Sequence, residues 1–335
     1  MSKIKGFIRS SLLKIDFSGL VQRVRGPGIV ILRYHSVRTD PEACRNTIGL
    51  GIIHPAHVFE QQMQFLSRNY EILNMEDVFR FVTGDRSVDR KSVVVSFDDG
   101  FDDNHNVAAA IMAKHGIRGT FYVTVDNVDR RKPLWFVRLR TAFYGTASPA
   151  WTCFTTRKEF PLDNEADRNR AFVHACRLCA PLSGSEKEAF LVRVEGDIGT
   201  TNRQDECFML EWDHVRSLSS AGHTIGSHTM THPNMAYVEN ADTLKFELQS
   251  SKNRLEAILQ KPVQDFSYPS PILEPHWNER TAKAVREAGY KTAVTCVPGV
   301  VREGSDPLCL RRISVPFDLS EFAWKIEGSL AGFRI

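Results

Sequence analysis

The sequence predicts an α/β protein in which parallel strands close, or nearly close, into a single β/α barrel. Short apolar runs alternate with longer amphipathic segments about seven times along the chain. Neighbouring parallel strands need a long crossover, usually a helix, so this alternation indicates a parallel sheet. Several apolar runs end in polar residues, which is typical of folds that collect functional groups at the carboxyl ends of parallel strands.

The composition excludes several classes of protein. A net charge of +3 is too small to indicate a nucleic-acid partner, and 42% hydrophobic with 25% charged residues is ordinary for a soluble chain. No apolar run reaches the roughly 18 residues that a spanning helix needs. The seven cysteines are scattered and odd in number, which predicts reduced thiols. The pair Cys176 and Cys179 is interpreted as packing rather than as a zinc site.

Residues 1–27 predict a basic helical arm. They carry six lysines and arginines against one acid, Asp16, and their apolar residues recur at roughly helical spacing. We expect the arm to pack its apolar face on the domain; the alternative is peripheral contact with the inner face of an anionic membrane. The segment lacks the apolar core and cleavage site of a secretory signal peptide, so a cytoplasmic location is expected.

The remaining elements follow in order from residue 28. The first half predicts strands at 28–35, 93–97 and 119–124, and helices at 57–69, 75–82 and 104–115. The second half predicts strands at 223–227, 265–268, 292–296 and 310–315, and helices at 211–221, 240–260 and 277–288.

Residues 130–208 interrupt this rhythm. They are rich in charge and mostly helical, with helices predicted at 164–180 and 184–195. We interpret them as an insertion into one barrel domain, 28–335, that forms a lid or a wall for the substrate. A separate small domain is the alternative.

The chain is organised around Val93–Asn104, which reads VVVSFDDGFDDN. Its apolar first half is typical of a strand buried on both faces. Asp98 and Asp99 follow directly, and an unpaired buried carboxylate is costly, so two acids here indicate a metal ligand beside a general base. Gly100 allows a sharp turn after them. The alternative is that the two acids only cap the following helix.

Two histidines follow a later strand, in SHTMTHP. His228 and His232 are four residues apart, and one helical turn would bring both imidazoles to the same side. Two histidines with one carboxylate are a common ligand set for a catalytic divalent metal. The HxxxH pair alone favours a structural or surface role. Combined with the acids at the end of another strand, it predicts a metal site.

The ends of four strands carry reactive side chains. They are His35, the pair Asp98 and Asp99, His228, and the pair Tyr268 and Pro269. Because carboxyl ends of parallel strands meet at one rim, we expect these groups to lie together.

With these motifs, the sequence resembles the polysaccharide deacetylase family with the NodB-homology domain, carbohydrate esterase family 4. SFDDG and SHTMTHP match its first two motifs in order, and the resemblance covers roughly 28–316 apart from the insertion. It implies a distorted (β/α)7 barrel that acts on N-acetylated carbohydrate. It also implies Asp98 as general base, with Asp99, His228 and His232 holding a divalent metal, usually zinc.

The third motif departs from the family pattern. The segment Tyr268-Pro269-Ser270 is expected to bind substrate, but Ser267 stands where the family often has an arginine that orients the base. For Tyr268 the alternative is a place in the core, which is usual for an aromatic side chain beside a strand end. Arg311 or Arg312 is a candidate replacement, and since they alternate across a strand, at most one faces the centre.

The final motif also departs, because its histidine acid is missing. Tyr34 and His35 match an N-terminal Tyr-His that supplies the acid in members resembling the poly-N-acetylglucosamine deacetylases. We therefore predict His35 as the acid, with a pKa close to neutrality. The alternative is a strand-end histidine that bonds only to backbone.

These residues predict a metal-dependent hydrolase that removes acetyl groups from N-acetylated sugars of a polysaccharide or glycolipid. A metal-bound water would attack, Asp98 would take its proton, and His35 would protonate the leaving amine. The alternatives are an amidase acting on a non-sugar amide, and a carbohydrate-binding protein without turnover.

Overall fold

The computed structural model describes residues 27–199 and 208–333. The predicted basic arm therefore lies outside the described residues, apart from Pro27. Eight strands form the main sheet: β1 (Ile29–Tyr34), β4 (Glu71–Ile72), β5 (Ser92–Phe97), β6 (Thr120–Val123), β9 (Thr224–Ser227), β10 (Asp265–Ser267), β11 (Thr292–Val294) and β12 (Ile313–Ser314). Four short strands form two small pairs: β2 (Ser36–Arg38) with β3 (Ile53–Pro55), and β7 (Ala150–Thr152) with β8 (Glu159–Pro161).

The main sheet is parallel and curls almost into a barrel, as predicted. Its order is β11-β10-β9-β6-β5-β1-β12, and β4 also pairs with β5. The long pair β1 and β5 runs in register from Ile29 beside Ser92 to Tyr34 beside Phe97. At the open side, Leu310 bridges Val294 of β11, and Ile313 three residues later pairs with Leu32 of β1. One segment of chain thus joins the two edges of the sheet.

Helices lie near the predicted positions, and three further helices, Val125–Arg130, Trp135–Gly145 and Leu319–Leu330, were not predicted. They span Ala56–Asn69, Met75–Val82, Ala110–Lys114, Val125–Arg130, Trp135–Gly145, Glu165–Cys179, Gly184–Asp197, Trp212–Ser220, Ala241–Lys245, Ser251–Leu259, Glu279–Glu287 and Leu319–Leu330. Turns of π-helix precede Ala110 and Ser251. Trp135–Gly145 was not predicted because it buries residues on several sides, between the barrel and the insertion, and so lacks a clear apolar stripe. Within the described ranges, no helix combines the length and apolarity required to cross a bilayer.

The insertion has a hydrophobic core of its own. Buried side chains from Trp135 to Ile198 form a cluster distinct from the barrel core, and it contains Cys176 and Cys179. Both cysteines are free thiols, and burial raises the pKa of each. The two predicted helices of the insertion are present, accompanied by the antiparallel pair β7 and β8.

Candidate active site

Five side chains from three distant stretches of the sequence meet in one cavity of about 370 Å³ at the carboxyl rim of the sheet. They are His35 after β1, Asp98 and Asp99 after β5, and His228 and His232 after β9. Asp98 and His228 are tied to the neighbouring strands, because Asp98 N–H donates to the Tyr34 carbonyl and His228 N–H donates to the Val123 carbonyl. The parallel register therefore places groups from three strands at the same height.

Asp99, His228 and His232 form a buried group suited to a divalent cation. Asp99 Oδ1 lies 3.5 Å from His228 Nε2 and 3.3 Å from His232 Nε2. The ligand atoms of all three residues lie within 4.8 Å of one another. Four-coordinate zinc with ligands at about 2.0–2.1 Å has neighbouring ligand atoms about 3.3 Å apart, so these spacings fit such an ion.

The histidine rings are oriented for this role in different ways. His228 Nδ1 lies 2.8 Å from the Ser267 carbonyl oxygen, so it carries the hydrogen and leaves Nε2 free as a ligand. His232 Nδ1 has no partner within the described part of the chain. The His232 ring is instead bordered by aromatic rings, with the Phe136 centroid 5.6 Å away and the Trp135 centroid 6.4 Å away.

Asp98 is held by a buried arginine. Arg312 Nη1 lies 2.8 Å from Asp98 Oδ1 and Nη2 lies 2.7 Å from Oδ2, a bidentate pair, and the arginine is only 1% exposed. Ser267 Oγ adds a hydrogen bond of 3.1 Å to Oδ1. Of the two arginines predicted as replacements for the missing motif arginine, Arg312 and not Arg311 therefore lies beside Asp98.

The electrostatics of the two acid–base candidates follow from these contacts. Burial alone would raise the pKa of Asp98, but the charge and hydrogen bonds of Arg312, together with His228, hold that pKa well below its usual range. Burial lowers the pKa of His35 to about 4, against the opposing charge of Asp99. The predicted near-neutral pKa of His35 is thus wrong, because the sequence does not show how far the ring is desolvated.

The backbone of the site is strained. Asp99, Thr229 and His232 all have positive φ angles, of 77°, 69° and 56°. Residues other than glycine seldom adopt a positive φ angle, and such backbone strain concentrates at functional sites. The loop 228–232 is therefore not one turn of α-helix, as its spacing suggested. Its two imidazoles converge through left-handed residues instead.

Buried polar groups outside the strands of the sheet hold this loop. Glu247 is fully buried, and its carboxylate accepts the backbone N–H groups of Met230 and Thr231 at 2.9 Å each. It also accepts hydrogen bonds from the hydroxyls of Thr231 and Ser183. Four donors on one carboxylate fix the loop tightly.

The insertion supplies two more contacts to the same loop. Lys187, which is 4% exposed, donates from Nζ to the Thr231 carbonyl at 2.7 Å. Trp135 donates from Nε1 to the His232 carbonyl at 2.9 Å. Neither residue was predicted to matter. One available signal was Glu247, a charge three residues after Leu244 on the apolar side of its helix.

The insertion also forms a wall of the cavity. The residues of the insertion that line the cavity are Trp135, Phe136, Arg140, Phe172 and Cys176. Of the three residues predicted to bind substrate, Ser270 lines the cavity. The prediction for Tyr268 needs correction, because its side chain is 1% exposed, packs on Phe266 and donates to the Leu308 carbonyl. Pro269 is buried beside it.

Comparisons with known proteins agree with this architecture. Residues 85–293, well over half of the chain, match the family model described as polysaccharide deacetylase. The Streptococcus pyogenes deacetylase PplD in complex with acetate superimposes with a TM-score of 0.60 at 19% identity, covering 90% of this chain and 98% of that one. IcaB from Ammonifex degensii gives 0.57 at 16% identity, covering 90% and 97%.

A sequence relative points the same way. YxkH of Bacillus subtilis (strain 168), provisionally named a polysaccharide deacetylase, is 20% identical over 310 residues, which cover 92% of this chain and 79% of YxkH. At these identities the solved structures support the fold, and the family model carries the assignment. The chain belongs to the polysaccharide deacetylase family and is a deacetylase that acts on N-acetylated polysaccharide.

Proposed function

We propose that the protein hydrolyses the acetamide of an N-acetylated sugar with the help of a divalent cation. One observation carries the proposal: three ligand atoms converge at metal-ligand spacing beside an ionised carboxylate, inside a cavity. Asp99, His228 and His232 would hold the cation, with zinc as the expected metal. A cation bound there polarises the acetyl carbonyl and lowers the pKa of water.

Asp98 acts as the general base in this proposal. Its pKa is held low, so the carboxylate stays ionised across the working pH range and can accept a proton from the attacking water. Oδ1 already accepts hydrogen bonds from both Arg312 and Ser267, whereas Oδ2 accepts one from Arg312. A carboxylate oxygen has two acceptor sites, so Oδ2 is the atom with room for the proton.

His35 donates a proton to the leaving amine. It lines the same cavity from the neighbouring strand. With a pKa of about 4, little of it is protonated at neutral pH, but the protonated ring is a stronger acid than an ordinary imidazolium, and the two effects partly offset each other. Water adds its hydroxyl to the acetyl carbon, the carbon–nitrogen bond breaks, and the amine takes the proton. The products are acetate and a free amino sugar.

The test is acetate release from N-acetylglucosamine oligomers by the metal-loaded protein. We expect Asp98→Asn and His35→Ala each to lower kcat by about 10²–10⁴-fold, the usual contribution of a positioned acid or base. The exposed His57 provides a matched control, and His57→Ala should leave the rate unchanged. Wild-type rates in both active-site variants would refute these assignments.

A further inference from the structure

Among the described residues, the wall of the active-site cavity contains one cation, Arg140, and it has no anionic partner. Outside the reactive groups on its floor, Arg140 is the only charged side chain among the described residues that line the cavity. The rest of the wall is largely apolar and includes Ile48, Leu50, Ile52, Phe136, Phe172 and Ile272. No carboxylate within the described ranges lies within ion-pair distance of Arg140.

The Arg140 guanidinium is held in place on two sides. Its Cζ lies 4.2 Å from the centroid of the Tyr144 ring, one helical turn further along, and 5.7 Å from that of Phe172. Its Nε donates to the Arg45 carbonyl at 2.9 Å. Gly49 packs so closely that an added Cβ would lie 2.9 Å from Nε and 3.1 Å from Cζ.

These contacts use Nε and leave the terminal nitrogens available. Nη1 and Nη2 form no hydrogen bond with the described part of the protein. A planar, fixed fork with free N–H groups matches the two oxygens of a carboxylate or phosphate, and little entropy is lost when such a fork binds. The neutral Cys176 thiol beside it offers no charge compensation, because burial raises the pKa of that thiol.

We infer that the substrate is an anionic N-acetylated saccharide, whose oxyanion binds to Arg140 while its acetamide lies over the cavity floor. This inference rests on the proposed function and adds the charge of the substrate to it. Phosphate and carboxylate substituents share the required chemistry. Arg140 is then a specificity-determining residue that discriminates against neutral sugars.

Three matched probes test this inference with the full-length, metal-loaded protein. They are the neutral trimer of N-acetylglucosamine, the same trimer with a phosphate monoester at its reducing end, and the trimer with that end oxidised to a carboxylate. We expect kcat/KM to be about 10- to 100-fold higher for at least one anionic trimer, the usual gain from a charge-assisted pair of hydrogen bonds. The gain should shrink as NaCl is raised.

Variants separate recognition of charge from a structural role. Arg140→Gln should lower kcat/KM for the anionic trimers at least about tenfold more than for the neutral trimer, which abolishes the preference, and Arg140→Lys should keep part of the preference. Arg193→Gln removes an exposed charge on the insertion, outside the cavity lining, and should behave as wild type. Equal loss on neutral and anionic trimers in Arg140→Gln would overturn the inference, as would a wild type that prefers the neutral trimer.

The inference and the proposed function can fail separately. A wild type that releases no acetate from any trimer refutes the proposed function on these probes. In that case, calorimetry of the phosphorylated trimer with metal-free wild type and with Arg140→Gln still tests whether Arg140 binds the anionic group. Equal affinities would overturn the inference without reference to turnover.

Discussion

Two sides of the active site hold their reactive groups by different means. On the sheet side, Asp98 is fixed by Arg312 and Ser267, which both lie in or next to strands of the barrel. On the loop side, the backbone around His232 is fixed by Glu247 and by Lys187 and Trp135 of the insertion. The proposed base is therefore positioned by the barrel itself, whereas His232, a proposed metal ligand, depends partly on a segment with a separate core.

This difference shows that the insertion has two roles in the site. It forms a wall of the substrate cavity, and it fixes the strained loop that presents His232. Outer contacts of this kind tune metal affinity by orienting the ligands. Changes on the sheet side should thus alter acid–base chemistry and stability, and changes on the loop side should alter metal binding.

The largest effect is expected on the sheet side. Arg312→Met leaves the Asp98 carboxylate buried without its counter-charge, and breaking a buried pair from one side costs about 3–5 kcal/mol. Both partners are almost fully buried, so solvent does not screen the pair. Urea unfolding should show this loss, and the pKa of Asp98 should rise towards its usual value or above it.

The double variant provides the control for this prediction. Asp98→Asn with Arg312→Met removes both charges and should recover part of the lost stability, with no recovery of deacetylation. Metal affinity should remain close to wild type in both proteins. A large loss of metal binding in Arg312→Met would remove the distinction between the two sides.

The next effect is expected on the loop side. Glu247→Gln retains one acceptor oxygen but presents an amide N–H₂ to backbone donors, so the loop loses part of its support. We expect a loss of about 1–3 kcal/mol in unfolding free energy and at least about a tenfold loss of zinc affinity. Competition with a chromophoric chelator measures the affinity. Unchanged affinity together with reduced stability would mean that Glu247 has only a structural role.

A smaller effect is expected when the indole N–H of Trp135 is removed. Trp135→Phe keeps most of the ring but removes the N–H that bonds the His232 carbonyl, which is worth about 1 kcal/mol. Zinc affinity should fall by a few-fold, with no change in the pH dependence of acetate release. Trp151→Phe, in the core of the insertion and outside the cavity lining, is the matched control.

An alkaline pH should change the loop side and leave the sheet side unchanged, without any mutation. Burial lowers the pKa of Lys187 to about 8, whereas the pKa of Asp98 is lowered and that of Arg312 is raised, away from this range. Above pH 8, Lys187 loses its charge and donates more weakly to Thr231, so zinc affinity should fall. The contribution of Lys187 to the free energy of unfolding should instead rise as the pH increases from about 8 to 10.4, because in this range the unfolded chain binds more protons than the folded one.

Lys187→Met should abolish both trends. The difference between wild type and variant separates the effect of Lys187 on zinc affinity from the effect of metal-ion hydrolysis at high pH. If wild type and Lys187→Met show the same pH dependence of zinc affinity, Lys187 does not hold the loop.

The sheet side was largely predictable from the sequence because strand geometry is local and periodic. The run Val93–Phe97 indicated a buried strand, and parallel strands bring their carboxyl ends to one rim. Alternation along the last strand correctly implied that only one of Arg311 and Arg312 faces inward, although not which one. For Tyr268 the predicted substrate role is wrong and the alternative, a place in the core, is observed, because a tyrosine after a strand can point into the core as easily as into the cavity.

The loop side could not be predicted because its contacts join distant segments through side chains with no periodic signal. Lys187 and Thr231 lie 44 residues apart, and Trp135 and His232 lie 97 apart. The sequence of a helix in the insertion predicts which face is apolar, but it does not predict which lysine is buried. The left-handed residues of the loop were likewise hidden, since threonine and histidine seldom adopt that conformation.

The measurement that tests the account most directly is a zinc titration of metal-stripped protein, followed by acetate release from an N-acetylated oligosaccharide. Wild type should regain activity with one equivalent of zinc, whereas Asp99→Asn and His232→Gln should bind zinc at least about tenfold more weakly and regain little. Full activity of wild type without metal, or zinc affinities in both variants equal to wild type, would contradict the proposed site.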